Sequence, residues 1–348
     1  MNLNKKKILI LGSDGYVGSV LINYLKKKNI YKLIGIDAQW FHKSNSKKKY
    51  NNVDRKDIRN FNLRSINFIP ETIIYLAAIS NDPMGRAFKE VTHQINFKEC
   101  LRLAKCAKVL GVKKFIFASS CSIYGASGSK IRKESDKLQP ITDYAISKVK
   151  AEKGLRYVSS NKFKVISLRF ATAAGLSPNL RLDLVFNDFV ASAVLKNKIE
   201  LLSNGDAWRP LIHVNDMARA IHWAIKYNSS KNFLPINIGS NSWNFKIIDL
   251  AKKISYVIGN VKVMTKSKKT KDKRSYKVDF ALFKKLAPNY QPVMNITKSV
   301  NDLKNFLNSK KNILYNFRNS EKWSRLANLK YLIKKNYINK KLFWIKNA

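Results

Sequence analysis

An apolar run, Ile8-Leu9-Ile10-Leu11, passes directly into Gly12-Ser-Asp-Gly15-Tyr-Val-Gly18 and then into a stretch of helical periodicity. Few folds accommodate that junction. A strand that stops at glycine and restarts as a helix must turn tightly, and glycine adopts the needed torsions without a Cβ penalty. In such a turn the first glycine permits the bend. The second permits close approach of a pyrophosphate, and the third permits close packing of helix on strand. The helix then presents free backbone N–H groups to the phosphates at its positive end. A glycine triplet alone is weak, but a strand before it and a helix after it are the context that a dinucleotide site requires. The expected cofactor contacts here are Gly12, Asp14, Gly15, Tyr16, Val17 and Gly18.

The rest of the first half keeps the same rhythm. Residues 7–11, 33–37, 72–77, 114–119 and 164–170 are short runs rich in Ile, Val or Phe, and a weaker strand is expected just before Asp54. Near-continuous apolar runs suit strands buried on both faces of a parallel sheet. Helical patterns at 16–28, 92–110 and 144–159 alternate with them. The expectation is an α/β fold with a Rossmann-type doubly wound parallel sheet.

After Gly175 the rhythm changes. Helices are expected at 184–196, 215–227 and 245–257, with loops at Pro178 and Pro210, and Ile236-Asn237-Ile238 reads as a short strand stopped by Gly239. Residues 266–273 read as a solvated Lys-rich connection, and residues 298–348 as a basic helical extension. The expected division is a cofactor domain at 1–175, with returns from about 210–240, a smaller C-terminal α/β substrate-binding lobe at 176–297, and the extension at 298–348. No internal repeat is apparent.

Composition narrows the class. A chain of 348 residues that is 45% hydrophobic can bury a sizeable core. The net charge of +45 suggests either a polyanion partner or a lysine-decorated surface. Lysines occur in nearly every segment and aromatics do not interleave with them, so a nucleic-acid partner is not expected, although such a surface would attract an anionic substrate. Cys100, Cys106 and Cys121 provide neither a disulfide framework nor metal-ligand spacing. No metal is expected. No stretch approaches the ~20 apolar residues of a membrane span, and the run at 8–11 is too short for a signal-peptide core. A reducing, cytoplasmic location follows as an expectation.

Three further groups carry chemistry. Asp37 ends its strand near the offset of about 20 residues at which a carboxylate binds a ribose 2′-hydroxyl. A carboxylate there repels a 2′-phosphate, so NAD is the expected cofactor. Asp57 and Ile58 are weaker candidates for the adenine side. Tyr144 and Lys148 stand at i and i+4 on one helix and share a face. A phenol near pKa ~10 is a poor base at neutral pH, and a neighbouring ammonium and the positive nicotinamide ring would both favour its phenolate. Tyr144 and Lys148 would also touch the cofactor, with Lys148 holding its ribose. Tyr144 would then exchange a proton with a substrate hydroxyl. Ser119-Ser-Cys-Ser-Ile-Tyr-Gly125 follows a strand end, where open parallel sheets bind ligands. Ser120 is the first choice to hydrogen-bond a reacting oxygen, and Ser122 the second.

These motifs occur in the order seen in extended short-chain dehydrogenase/reductases, and the chain resembles their NAD-dependent epimerase/dehydratase family from about Lys7 to Arg219. The resemblance implies that Leu76, Ala77, Ala78, Asn96, Ser119 and Phe170 border the cofactor. It implies a catalytic Ser120, Tyr144 and Lys148, and a nucleotide-sugar substrate met by Ser80, Ser122, Asn187, Arg209 and Arg274. It also implies a homodimer through the helices at 92–110 and 144–159. One departure is informative. Dehydratases of the family carry an Asp-Glu pair where this chain has Cys121 and Ser122. Neither supplies a carboxylic acid, so expulsion of water by that route is not expected. An epimerase is the leading expectation. A nucleotide-sugar dehydrogenase or reductase uses the same residues, and a non-catalytic NAD-binding regulatory protein is a third reading.

Overall fold

The computed structural model describes residues 5–41, 53–265, 274–310 and 316–345. Seven parallel strands form the central sheet. From one edge they run Phe233–Ile238, Lys164–Phe170, Lys114–Ser120, Thr72–Tyr75, Lys6–Leu11, Tyr31–Asp37 and Val53–Arg55. Alternation along each strand sends side chains to opposite faces. Ile8, Ile10, Ile74, Ile116 and Ile166 pack into one core, and Leu9, Leu11, Ile73, Phe115 and Val165 into the other. Both faces are covered, which is why these strands read as unbroken apolar runs.

Lys6–Leu11 lies between Tyr31–Asp37, which follows it in sequence, and Thr72–Tyr75, which comes two strands later. Strand order reverses here, and a crevice opens beyond the carboxyl ends. The expected helix at 16–28 is Tyr16–Lys26, that at 144–159 is Asp143–Val158, and those beyond residue 175 are Val185–Lys196, Val214–Lys226 and Ile247–Ile258.

The structure corrects several boundaries. The single helix expected at 92–110 is three pieces: Lys89–His93, a π-helical turn at Gln94–Glu99 and Cys100–Val109. Apolar spacing cannot register a π turn, whose cause is local hydrogen bonding. The strand expected at 72–77 ends at Tyr75, leaving residues 76–78 as coil at the crevice.

Pro210 lies inside the strand Trp208–His213 rather than in a loop. That strand pairs antiparallel with Asn244–Lys246 through residues 208–210 and parallel with Thr172–Ala174 through residues 211–213. Pro210 therefore sits where one ladder ends and the next begins, a position that tolerates a missing N–H. The strands Ala126–Arg132 and Ser275–Val278, paired in parallel, were not expected; the first carries no clear apolar alternation, and the second alternates over only four residues.

The expected connection at 266–273 lies outside the described residues. Beyond 298 stand parts of the helix Ile296–Asn308 and the whole of Arg325–Lys334, and the latter is followed by a non-helical return bridged at Ile338 and Trp344.

Candidate active site

A cleft of about 640 Å3 opens at the reversal point, within the range of small-molecule sites. One side of it is backbone. Gly12 has φ +85°, and a Cβ there would lie 2.5 Å from the Ala77 nitrogen. A Cβ on Gly18 would lie 2.2 Å from the Gly12 carbonyl oxygen, so helix and strand meet only because it is glycine. A Cβ on Gly15 would meet only the Gly12 oxygen, at 3.3 Å, which leaves its outer side open for a ligand to approach. Gly15 caps the helix Tyr16–Lys26 with no side-chain hydrogen bond, so the positive helix end is free to meet an anion.

Asp37 accepts the backbone N–H of Asp14 at 2.9 Å and of Gln39 at 2.7 Å. Burial pushes its carboxyl up to about 6 against those two hydrogen bonds. A ribose hydroxyl would offset that penalty. Gly12, Gly15, Tyr16, Val17, Gly18, Asp37, Asp57, Ile58, Leu76, Ala77 and Ala78 all border the cleft.

Three expected contacts stand behind the wall rather than in it. Asp14 turns its carboxylate to the Asn179 amide at 2.9 Å. Asn96 holds the Ile79 N–H and carbonyl and the Ser147 hydroxyl, at 2.9, 3.0 and 3.0 Å. It ties the coil after Thr72–Tyr75 to the helix that carries Tyr144. Asn187 receives the Gly175 N–H at 2.8 Å and donates to the Arg181 carbonyl at 2.8 Å. These bonds lie inside the protein and position the Gly175 turn against the loop at Arg181. Sequence spacing marked these positions but not the direction of their side chains.

The opposite side of the cleft is built from side chains. Thr142 caps the helix Asp143–Val158 by accepting the Ala145 N–H at 3.2 Å, and donates to Asp82 at 2.7 Å. That cap places Tyr144 in the first turn and Lys148 one turn further. The Ser120 side chain acts to lower the pKa of the Tyr144 phenol, but burial dominates and holds the phenol above its ordinary value. Lys148 is 2% exposed. Its Nζ donates to the Ala118 carbonyl at 2.7 Å and lies 5.7 Å from the centre of the Tyr144 ring. Burial brings the ammonium down to about 8.

The expected lowering of the Tyr144 phenol rests on the Lys148 ammonium together with a positive nicotinamide ring. The ammonium is turned to a carbonyl, and the side chains that lower the phenol are Ser120 and Arg181. Ser119 and Ser122 each bury a hydroxyl oxygen with no hydrogen-bond partner among the described residues, and both residues border the cleft beside Phe170. Unsatisfied buried hydroxyls are rare and point to a ligand. With the glycine cradle and Asp37, they fit a dinucleotide and a polyhydroxylated substrate side by side.

The outer wall is charged. Arg181 pairs with Asp183 at 2.9 Å and donates to Ser80 at 2.7 Å. Arg209 is buried, donates to the Arg274 carbonyl, and lies 5.1 Å over the Tyr276 ring. Arg274 pairs with Asp82. Arg181, Asp183, Asp82 and Tyr276 were not anticipated as site residues. They meet only in three dimensions, and an Arg and an Asp two apart in a loop give no periodic signal.

Below the site, Glu152 and Arg169 form a buried pair at 2.7 Å, and Arg169 also donates to Tyr124 at 3.1 Å. This pair locks the catalytic helix to the sheet. Cys121 is buried too, and its thiol donates to the Arg169 carbonyl at 3.1 Å.

Comparison with known proteins agrees with this geometry. A family model described as the NAD dependent epimerase/dehydratase family matches residues 8–239. The chain is 25% identical over 272 residues to a UDP-glucose 4-epimerase from Lacticaseibacillus casei, covering 71% of this chain and 81% of that one. It is 26% identical over 267 residues to the human dTDP-D-glucose 4,6-dehydratase, covering 73% and 74%. In fold it matches the UDP-glucuronic acid 4-epimerase from Bacillus cereus, solved with UDP-glucuronic acid and NAD. The TM-score there is 0.71 at 23% identity, covering 87% of this chain and 99% of that one.

Proposed function

The chain belongs to the NAD-dependent epimerase/dehydratase family, and from that premise we propose that it epimerises a nucleotide sugar through a transient keto sugar. One observation carries the reading. Tyr144, Ser120 and Lys148 converge on the same cleft as the glycine cradle. The backbone of residues 12–18 and Asp37 would hold the family's NAD, which would supply a reversible two-electron acceptor.

The remaining steps belong to the chain. Ser120 hydrogen-bonds the reacting sugar oxygen. Tyr144, as phenolate, takes the hydroxyl proton during oxidation and returns it during reduction. Lys148 holds positive charge beside the ring and stabilises the phenolate. Arg209 and Arg274 hold the diphosphate of the substrate, for which guanidinium forks are suited. Rotation of the keto sugar before reduction exchanges the face that is attacked. Loss of water through an acid pair after Ser120 is not available, since Cys121 is committed to the Arg169 carbonyl and Ser122 has no carboxyl.

The test is to incubate purified protein with single nucleotide sugars, such as UDP-glucose or UDP-glucuronic acid, without added cofactor. An epimer appearing with no net NADH supports the reading. Stoichiometric NADH would replace it with a dehydrogenase, and bound NAD with no turnover on any sugar would replace it with a regulatory protein.

Two further properties are proposed with it. A homodimer through Cys100–Val109 and Asp143–Val158 is supported by exposed Val109 and Tyr157 on those helices, and light scattering tests it. A cytoplasmic site is supported by the free thiols of Cys100, Cys106 and Cys121, and fractionation tests it. No helix among the described residues is long and apolar enough to cross a membrane.

A further inference from the structure

The segment from Asn316 to Ile345 does not hang off the fold. It crosses the loops that follow the strands Tyr31–Asp37 and Val53–Arg55, on the Asp37 side of the cleft. Trp344 Nε1 donates to the Ala38 carbonyl at 2.6 Å, and the Asn328 amide donates to the Trp40 carbonyl at 2.7 Å. Arg59 donates to the carbonyls of Lys341 and Leu342 at 2.6 and 2.9 Å, with its guanidinium 3.5 Å over the Phe343 ring. Leu329, Leu332, Ile338 and Leu342 join the same buried cluster as Leu9 and Ile36. The segment is thus packed as core and clasped at both ends.

This docking brings Arg325 into the cleft. Arg325 is 7% exposed and stacks 4.1 Å over the Phe41 ring. It donates to the Asn179 carbonyl at 3.1 Å, and Asn179 in turn donates to Asp14 of the glycine turn. Arg325 therefore stands two hydrogen bonds from the turn whose helix end awaits an anion. Its guanidinium interacts with Asp14, Asp37 and Asp183, and with the like charge of Arg181. Burial and Arg181 pull it down to about 9. An arginine stays charged in a protein, so the cleft carries a buried cation at this point.

We propose that Arg325, carried in by the C-terminal segment, binds the diphosphate of the dinucleotide, and that the segment straps the cofactor into its cleft. The proposal rests on the NAD-dependent reading above and extends it. A strap matters for an enzyme that returns its cofactor to the starting state in every cycle. Such a cofactor need never leave, and a cover over its adenosine end slows loss without obstructing the sugar.

The test compares wild type, Arg325→Gln and Trp344→Ala by bound NAD after gel filtration, by NAD affinity in calorimetry and by NAD release rate, with UDP binding as a parallel arm. Arg325→Gln is expected to weaken NAD about tenfold to a hundredfold, the range for losing a charge-assisted hydrogen bond, and to leave UDP unchanged. Trp344→Ala is expected to speed NAD release more than it weakens affinity for UDP. Unchanged NAD affinity in Arg325→Gln, or an equal loss of UDP, overturns the proposal. If Arg325→Gln does not fold, the release rate of Trp344→Ala decides, and an unchanged rate overturns the proposal. Wild type that binds no NAD would sink the functional reading and the strap together. Wild type that binds NAD beside a silent Arg325→Gln would sink the strap alone.

Discussion

The two sides of the cleft are made of different material. The cradle side is mostly backbone and small residues from short local stretches, with Asp37, Asp57 and Arg325 as charged contributions. The other side is a set of ionisable side chains, half-buried Tyr144 and buried Lys148, Arg181 and Arg209, gathered from segments far apart in sequence, with the buried Glu152–Arg169 pair beneath them. Backbone donors need no counter-charge and keep their geometry when neighbouring side chains change. Buried charges hold each other in place, and each removal exposes the desolvation cost of its partner. Substitutions on the first side should therefore affect ligand binding, and substitutions on the second should affect turnover or the fold itself.

Tyr144→Phe should have the largest effect. Removing the hydroxyl should cut kcat by about 100- to 10,000-fold, the span of general acid–base contributions, while the apo melting temperature and NAD binding hold. Retention of full turnover would remove the chemistry from the side-chain wall.

Glu152→Ala comes next. Arg169 would be left buried without its carboxylate, a loss of about 3–5 kcal/mol. The melting temperature should drop by on the order of 10 °C, as read by circular dichroism. A small change there would mean that buried pairs on this side are not structural.

On the cradle side, Asp37→Asn should weaken NAD by about tenfold, equal to one hydrogen bond of ~1.4 kcal/mol, with the fold intact. Unfolding in this variant would erase the contrast between the two sides.

The smallest effect is the pH dependence of the same group. The folded pKa of Asp37 is raised to about 6, above the ordinary carboxylate value of ~3.9. Between these values the native state binds the extra proton, so the contribution of this group to stability falls as pH rises through that window and is flat above it. The melting temperature of wild type minus that of Asp37→Asn should therefore decline from about pH 4 to pH 6. NAD affinity should run the other way and weaken as pH falls below about 6, where the ribose loses its ionised acceptor.

What could be read in the sequence divides along the same line. The apolar runs, the strand–glycine–helix junction, the acidic strand end and the Tyr144/Lys148 spacing are local and periodic, because they arise from backbone torsion and from the 2- and 3.6-residue repeats of strand and helix. The sequence by itself determined the parallel sheet and the position of the crevice, and it marked Ser120, Tyr144 and Lys148, which line that crevice. Folding decided the rest. It turned Asp14, Asn96 and Asn187 inward, pointed the Lys148 ammonium at a carbonyl, paired Arg181 with Asp183, and carried Arg325 across the molecule to the glycine turn. A buried charge is fixed by whichever partners the packed chain brings within reach, and no spacing along the sequence encodes a contact between residues 146 positions apart.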